Sequence, residues 1–147
     1  MSASASPADG AGPGPAGPLT VGHLMRPAAT TVEPDDHVAS AAYLMKRAND
    51  SALVVTTDVE GRLPLAVITD ADVSQAVADG RNLNDTRIHQ LRLPAPLTVD
   101  PDTPVTAAAE QMLEMSLQHV TVVRDGRLLG LVDIAAVCRA LLRGSAA

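Results

Sequence analysis

An internal repeat constrains the fold of this chain more than any other feature. Shifting the 147-residue sequence by 67 positions aligns residues 20–58 with 87–125 without a gap, and 13 of the 39 columns are identical. An Ala-rich sequence would give about three identities by chance, so the repeat indicates a duplicated structural unit. Because only two copies are present, we expect a closed, pseudo-symmetric pair and not a solenoid.

Each copy shows the same order of predicted elements. A short strand and a Pro-Asp turn precede a helix whose apolar positions recur with helical spacing, at 38, 41, 42 and 45 and again at 105, 108, 109 and 112. Two strands joined by a hairpin follow, and a second helix closes each copy, over 71–78 and 134–142. The predicted fold is α+β, with two β-α-β-β-α repeats packed about a pseudo-twofold through their sheets.

Composition and charge exclude several classes of protein. Eleven basic and 17 acidic residues give a net charge of −6, so we expect no nucleic-acid partner. The single cysteine, Cys138, excludes an internal disulfide and a multi-cysteine metal site. No apolar run approaches the roughly 20 residues that span a bilayer, and no signal peptide is evident. We therefore expect a cytoplasmic protein with no membrane partner.

Residues 1–18 contain almost only Ala, Ser, Gly and Pro, and we expect them to be disordered. Gly12, Gly14 and Gly17 formally match a dinucleotide-binding motif. Pro13 and Pro15 remove N–H groups that a phosphate would need, and no strand precedes the glycines, so we discard this match.

The two copies resemble cystathionine-β-synthase (CBS) domains, which occur in tandem pairs called Bateman modules. The resemblance covers residues 19–143 and rests on segments that recur in order: Leu24-Met25-Arg26-Pro27, Thr31-Val32, Thr98-Val99, Thr69-Asp70-Ala71-Asp72, His119 to Val123, and Asp125 to Gly130. It implies an adenosyl ligand, such as AMP, ADP, ATP or S-adenosylmethionine, that is bound between the copies and regulates another protein. It implies no obligatory cofactor.

The resemblance also implies the binding residues. Thr69 and Asp72 match the family's ligand-holding stretch, where a helix N-terminus and a hydroxyl would meet phosphate and a carboxylate would hold the ribose diol. The family's adenine contacts fall on Thr30, Thr31, Ala52 and Leu53. The alternative is that Thr69 and Asp72 form a capping box that serves only the helix, and both roles can coexist.

The second copy departs from this pattern. Asp133 and Ala136 replace Thr69 and Asp72, so this half is expected to be capped and empty, with one ligand per chain held mainly by the first repeat. In the first copy Ala66 stands where Gly130 stands in the second, and one extra residue lies between Gly61 and Thr69. We expect these two differences to shift the turn.

No enzyme signature is present, and no catalytic or metal-binding residue is predicted. Asp70 and Asp72 lack a third oxygen ligand for Mg²⁺. His119 precedes a predicted strand and is interpreted as a packed or edge histidine. Cys138 lies beside Val137 in a predicted helix and is interpreted as a small core residue.

We expect a disordered tail over 1–18, a first repeat over 19–82, a second repeat over 83–143 and a short tail over 144–147. The expected function is a stand-alone regulatory module that senses an adenosyl ligand and acts on an unknown protein target. The alternative is an interaction or stress protein that binds no ligand and acts through homodimerisation. A homodimer is expected in both cases, because the helices present the apolar pairs Val73/Val77 and Val137/Leu141.

Overall fold

The computed structural model describes residues 18–57 and 63–146, and it confirms the α+β fold with two repeats. The helices are α1 (Val21–Leu24), α2 (Val38–Ala48), α3 (Asp70–Ala78), α4 (Val105–Met115), α5 (Ile134–Ala146) and a 3-10 helix (Ile88–Leu91). The strands are β1 (Arg26–Pro27), β2 (Thr31–Val32), β3 (Ala52–Thr56), β4 (Pro64–Thr69), β5 (Thr98–Val99), β6 (His119–Arg124) and β7 (Arg127–Asp133). The order β-α-β-β-α therefore occurs twice, as β2-α2-β3-β4-α3 and as β5-α4-β6-β7-α5.

The two repeats build sheets of different size. The first repeat forms a three-stranded sheet in the order β2-β3-β4, and the second forms a four-stranded sheet in the order β1-β7-β6-β5. The fourth strand, β1, precedes the β-α-β-β-α unit of the first repeat and pairs antiparallel with β7, with Pro27 opposite Gly130. A small cluster that includes Ala52, Val54 and Leu131 joins the two sheets, as expected for repeats packed through them.

The two hydrophobic cores exchange their leading segments. Val21 of α1 is fully buried in the core built by α4, β6, β7 and α5. Ile88 of the 3-10 helix is 2% exposed in the core built by α2, β3 and β4. Backbone hydrogen bonds of 2.9 Å from Val21 N–H to the Thr103 carbonyl and from Ile88 N–H to the Asp36 carbonyl hold each segment in place. Each core therefore depends on a segment that lies nearer to the other repeat in the sequence.

The closing helix differs from the expectation. The sequence predicted that it ends at Leu142 before Gly144, but α5 continues to Ala146. Gly144 does not adopt a positive φ, so it does not end the helix as a left-handed residue would. Most of the predicted tail over 144–147 is therefore helical, whereas the predicted N-terminal tail lies, apart from Pro18, outside the described residues.

Two predictions about the face of α5 were wrong. Cys138 is exposed, because the buried stripe of this amphipathic helix passes through Val137 and not through its neighbour. Val137 is fully buried in the core, so it is not part of an exposed apolar face. Val77, in contrast, is 58% exposed, as expected. Among the described residues, no helix has the length and hydropathy needed to cross a bilayer.

Candidate functional site

A cleft lies where the start of α3 meets the second repeat, and we name it cleft A. Its volume is about 270 Å³, close to the lower limit of roughly 300 Å³ for ligand pockets. The first repeat contributes one wall, with Val67, Thr69, Ala71 and Asp72. The segment before β5 and the loop between α4 and β6 contribute the other, with Pro94, Ala95, Pro96, Leu97, Ser116, Leu117, Gln118 and His119.

Thr69 and Asp72 form a capping box at the start of α3. Asp72 Oδ2 accepts hydrogen bonds from the Thr69 backbone N–H at 2.8 Å and from the Thr69 hydroxyl at 2.9 Å. Asp72 N–H in turn donates to Thr69 Oγ1 at 3.2 Å. The capping alternative is therefore what the structure contains, and the hydroxyl proton predicted to meet a phosphate is donated to Asp72 instead.

The cap leaves polar groups directed to a ligand. The hydrogen bonds of Asp72 within the described chain use Oδ2, so Oδ1 keeps its lone pairs for hydroxyl donors. The first N–H groups of a helix have no intrahelical partner, and here Asp70 N–H donates to the Ser51 carbonyl at 2.9 Å. The N–H of Ala71, which lines cleft A, stays available as a donor. Capping and ligand binding are thus compatible at this helix end.

The opposite wall is held by the backbone of the second repeat. Thr121, which is fully buried, donates both its N–H and its hydroxyl to the Leu97 carbonyl, at 2.9 and 3.0 Å. Ser116 adopts a left-handed φ of 55° at the end of α4, and the chain then turns into cleft A. Leu97 and Leu117 consequently present aliphatic surface opposite Thr69 and Asp72, and this surface can pack on a flat base.

His119 is the titratable side chain of the second wall. It is half-buried at the start of β6, opposite Asp133 of β7. Burial lowers the pKa of His119 below its ordinary value, and the charge of Arg26 lowers it further, whereas Asp133, Asp70 and Asp72 act in the opposite direction. The sequence predicted a packed or edge histidine, and the half-buried position of His119 on an inner strand agrees with a packed one. Its position in cleft A was not predicted.

No lysine or arginine is among the residues that line cleft A. Arg124, at the end of β6 in the second repeat, is bound to Asp100 at 2.9 Å and to Asp102 at 2.6 Å. This pairing holds the pKa of Asp100 below its usual range and occupies the guanidinium. Arg92 ends the 3-10 helix in a left-handed conformation and is exposed. Asp72 is therefore the acidic side chain among the described residues that line cleft A.

The six predicted binding residues do not line one cleft. Thr69 and Asp72 lie in cleft A, whereas Thr30, Ala52 and Leu53 line a second cleft of about 170 Å³, which we name cleft B. Its other lining residues are Arg26, Pro27, Ala28, Ala29, Ala48, Asp50, Val54 and Leu131. Thr31 lies in β2, paired with Val54, and lines neither cleft.

The sequence repeat explains why the predicted binding residues are divided between the two clefts. A shift of 67 positions carries Thr30 to Leu97 and Ala52 to His119, and both of these residues line cleft A. Because the repeats cross, the helix start of one copy faces the strand entrance of the other. Asp133 and Ala136 do not line cleft B in the described chain, and Asp133 instead caps α5 by accepting the Ala136 N–H at 2.8 Å.

Comparison with known proteins is consistent with this geometry. The CBS domain family model matches residues 21–79 and 89–143. The mitochondrial CBS domain-containing protein CBSX3 of Arabidopsis thaliana is 30% identical over 111 residues, which cover 74% of this chain and 54% of that protein. The chain thus spans about half the length of this curated relative. Because CBSX3 is named mitochondrial, the cytoplasmic location stays a prediction.

Solved structures of CBS proteins share the fold. CBS domain protein PAE2072 from Pyrobaculum aerophilum, complexed with AMP, is 26% identical with a TM-score of 0.74 over 88% of this chain and 100% of that one. CBSX2 in complex with AMP is 27% identical with a TM-score of 0.67 over 86% of this chain and 98% of that one. The duplicated fold and the family match together show that the chain belongs to the CBS domain family, as a tandem CBS pair.

Proposed function

We propose that the protein is a regulatory CBS pair that binds one adenosyl ligand per chain in cleft A. The observation that carries the proposal is the Asp72 carboxylate at the start of α3, whose Oδ1 accepts no hydrogen bond within the described chain and which lines cleft A together with Leu97 and Leu117. A ribose hydroxyl donating to this carboxylate would contribute about 1.5–3 kcal/mol. The AMP complexes of PAE2072 and CBSX2 support an adenosine nucleotide as the ligand class.

The mechanism is a shift in conformational population. Cleft A is built from both repeats, so a ligand that contacts both walls favours the arrangement in which they face each other as described. A target protein that binds one arrangement better than the other would then respond to the ligand.

Calorimetry with Asp72→Asn tests the site. The asparagine oxygen can still accept the Thr69 N–H, so the cap is kept, but the amide NH₂ replaces the acceptor at Oδ1. We expect AMP affinity to fall by about 10- to 150-fold, the equivalent of roughly 1.5–3 kcal/mol. Asp70→Asn is the matched control, because it removes the same charge from the same helix turn at a residue that does not line cleft A.

Equal AMP affinity of the wild type and Asp72→Asn would remove Asp72 from the site. The absence of binding by the wild type to AMP, ADP, ATP, adenosine and S-adenosylmethionine would reject the proposed function altogether.

A second candidate function is self-association without a ligand. A groove of about 310 Å³ lies between the segment Pro18–Leu19 and helices α4 and α5. Leu113 and Leu142 on these helices are 74% and 70% exposed, an unusual amount of aliphatic surface for an isolated chain. If none of the adenosyl ligands binds, this surface favours an interaction protein.

A further inference from the structure

Part of the second wall of cleft A is a short segment with little structure of its own. Within the described chain, residues 93–96 belong to no helix or strand and make no backbone hydrogen bond. Pro94 and Pro96 fix their own φ angles but have no N–H to donate. The first anchored backbone group of this segment is the Leu97 carbonyl, which directly precedes β5. The position of the wall therefore depends on the groups that bind this carbonyl.

Both donors to the Leu97 carbonyl come from Thr121. Its N–H donates at 2.9 Å and its hydroxyl at 3.0 Å, so the two lone pairs of the carbonyl oxygen are both used. Thr121 is fully buried and does not line cleft A, so a ligand in the cleft would not touch it. Leu97 does line the cleft. Thr121 can therefore act on a ligand only indirectly, and Leu97 is the contact that connects the two.

The fold does not require the Thr121 hydroxyl. The repeat has Val54 at the equivalent position, where the aliphatic side chain is 1% exposed between the two sheets. Without the hydroxyl, the Leu97 carbonyl would still accept the Thr121 N–H, so no buried polar group would lose its last partner. Burial also removes water from the hydroxyl, and this cost offsets much of the gain from its hydrogen bond. The hydroxyl thus adds little to stability, and its specific effect falls on Leu97.

We propose that Thr121 is a positioning residue for cleft A, whose hydroxyl holds the Leu97 wall in the conformation that receives the base of an adenosyl ligand. This inference rests on the proposed function. The second hydrogen bond restricts rotation of the Leu97 peptide group, because the carbonyl oxygen is then held by two donors in fixed positions. A wall that is ordered before the ligand arrives loses less conformational entropy on binding, so its affinity exceeds that of a mobile wall.

Calorimetry with Thr121→Val tests this role, because valine has nearly the shape of threonine but no hydroxyl. We expect AMP affinity to fall by about three- to tenfold, while the Tm stays close to that of the wild type. Thr121→Ser is the rescue variant. Serine keeps the hydroxyl and lacks the methyl group, so it should bind AMP more tightly than Thr121→Val. A merely structural role predicts the opposite order, because serine leaves a small cavity between the sheets.

Thr86→Val is the matched control. Thr86 is 6% exposed, and its hydroxyl donates at 2.8 Å to the Asn82 carbonyl, which also accepts the Asp85 N–H at 3.0 Å. The substitution therefore removes the same kind of hydrogen bond at a residue that does not line cleft A, and AMP affinity should stay at the wild-type value. Equal AMP affinity of the wild type and Thr121→Val would overturn the proposal. Equal losses in Thr121→Val and Thr86→Val would overturn it as well.

NMR relaxation measures the wall without any ligand. The order parameters of the Ala95 and Leu97 backbone amides should fall in Thr121→Val and stay near the wild-type values in Thr121→Ser. If the wild type binds no AMP, the proposed function is wrong, and this measurement alone judges the effect of Thr121 on the wall. Order parameters that are the same in the wild type and Thr121→Val would show that the hydroxyl does not position Leu97.

Discussion

At the scale of single residues, we expect His119 to make the stability of the folded protein depend on pH. Burial is the main cause of its lowered pKa, and the facing charges are Arg26, which lowers it, and Asp133, Asp70 and Asp72, which raise it. The unfolded chain protonates near the ordinary pKa of 6.5, before the folded chain does. Protonation of the buried imidazole costs free energy, and the folded chain avoids this cost above pH 6.5. The free energy of unfolding therefore decreases as the pH falls below 6.5, where the unfolded chain binds the proton more readily.

We predict that His119→Asn reduces this acid sensitivity. Between pH 7.5 and pH 5.5 the wild-type Tm should fall by more than that of the variant, by an excess of a few °C, as measured by differential scanning calorimetry. His89→Asn, at an exposed histidine outside cleft A, should retain the wild-type dependence. An identical fall in Tm for the wild type and His119→Asn would show that the histidine is not desolvated.

The charge of cleft A predicts a ranking of nucleotides. Asp72 lines the cleft, no lysine or arginine does, and Asp70 lies beside it at the same helix start. Each additional phosphate would bring negative charge towards these carboxylates without a cation to neutralise it. AMP should therefore bind more tightly than ADP, and ADP more tightly than ATP, when titrated in Mg²⁺-free buffer. Tighter binding of ATP would indicate that a cation from outside the described residues reaches the phosphates.

At the scale of elements, the exchange of α1 and the 3-10 helix between the two cores predicts which strands respond when a residue of either segment is replaced. Ile88→Ala removes a side chain that is 2% exposed in the first core, and it should destabilise the protein by about 2–5 kcal/mol. Native-state hydrogen exchange should accelerate most in β3 and β4. Val21→Ala is the reciprocal control, because Val21 lies in the second core, so β6 and β7 should respond instead. The same response from both variants would mean that the cores unfold as one unit.

Local sequence patterns predicted the helices and strands well, but they predicted the pairing of strands that are distant in the sequence less well. The helical spacing of Val38, Ala41 and Met45 placed these residues in the core, where they are 0–4% exposed, because periodicity is a property of one element. The pairing of β1 with β7 was not predictable in this way, since it depends on the close approach that Gly130 allows across the molecule. The sequence grouped Thr69 and Asp72 with residues of the same repeat, whereas crossed packing brings them into one cleft with Leu97 and His119.

At the scale of the whole molecule, we predict that the helices α4 and α5 associate with those of a second copy of the chain. Leu113 and Leu142 stand exposed on these helices. Exposed charges of opposite sign flank them, with Glu110 and Glu114 on α4 and Arg139 and Arg143 on α5, and the described chain contains no ion pair involving these four residues. A twofold axis parallel to the helices would place α4 of each copy opposite α5 of the other, so that unlike charges meet.

This arrangement predicts a homodimer of twice the 15.1 kDa chain mass. Light scattering at tens of micromolar chain should give that mass for the wild type and the monomer mass for Leu113→Arg combined with Leu142→Glu, because each new charge would face charges of the same sign on the opposite helix of the other copy. Tyr43→Glu, on the exposed face of α2, is the control and should stay dimeric. AMP binding should persist in the monomeric variant, since cleft A lies within one chain. A monomeric wild type would reject the dimer, and a monomer produced by Tyr43→Glu alone would assign the interface to the first repeat.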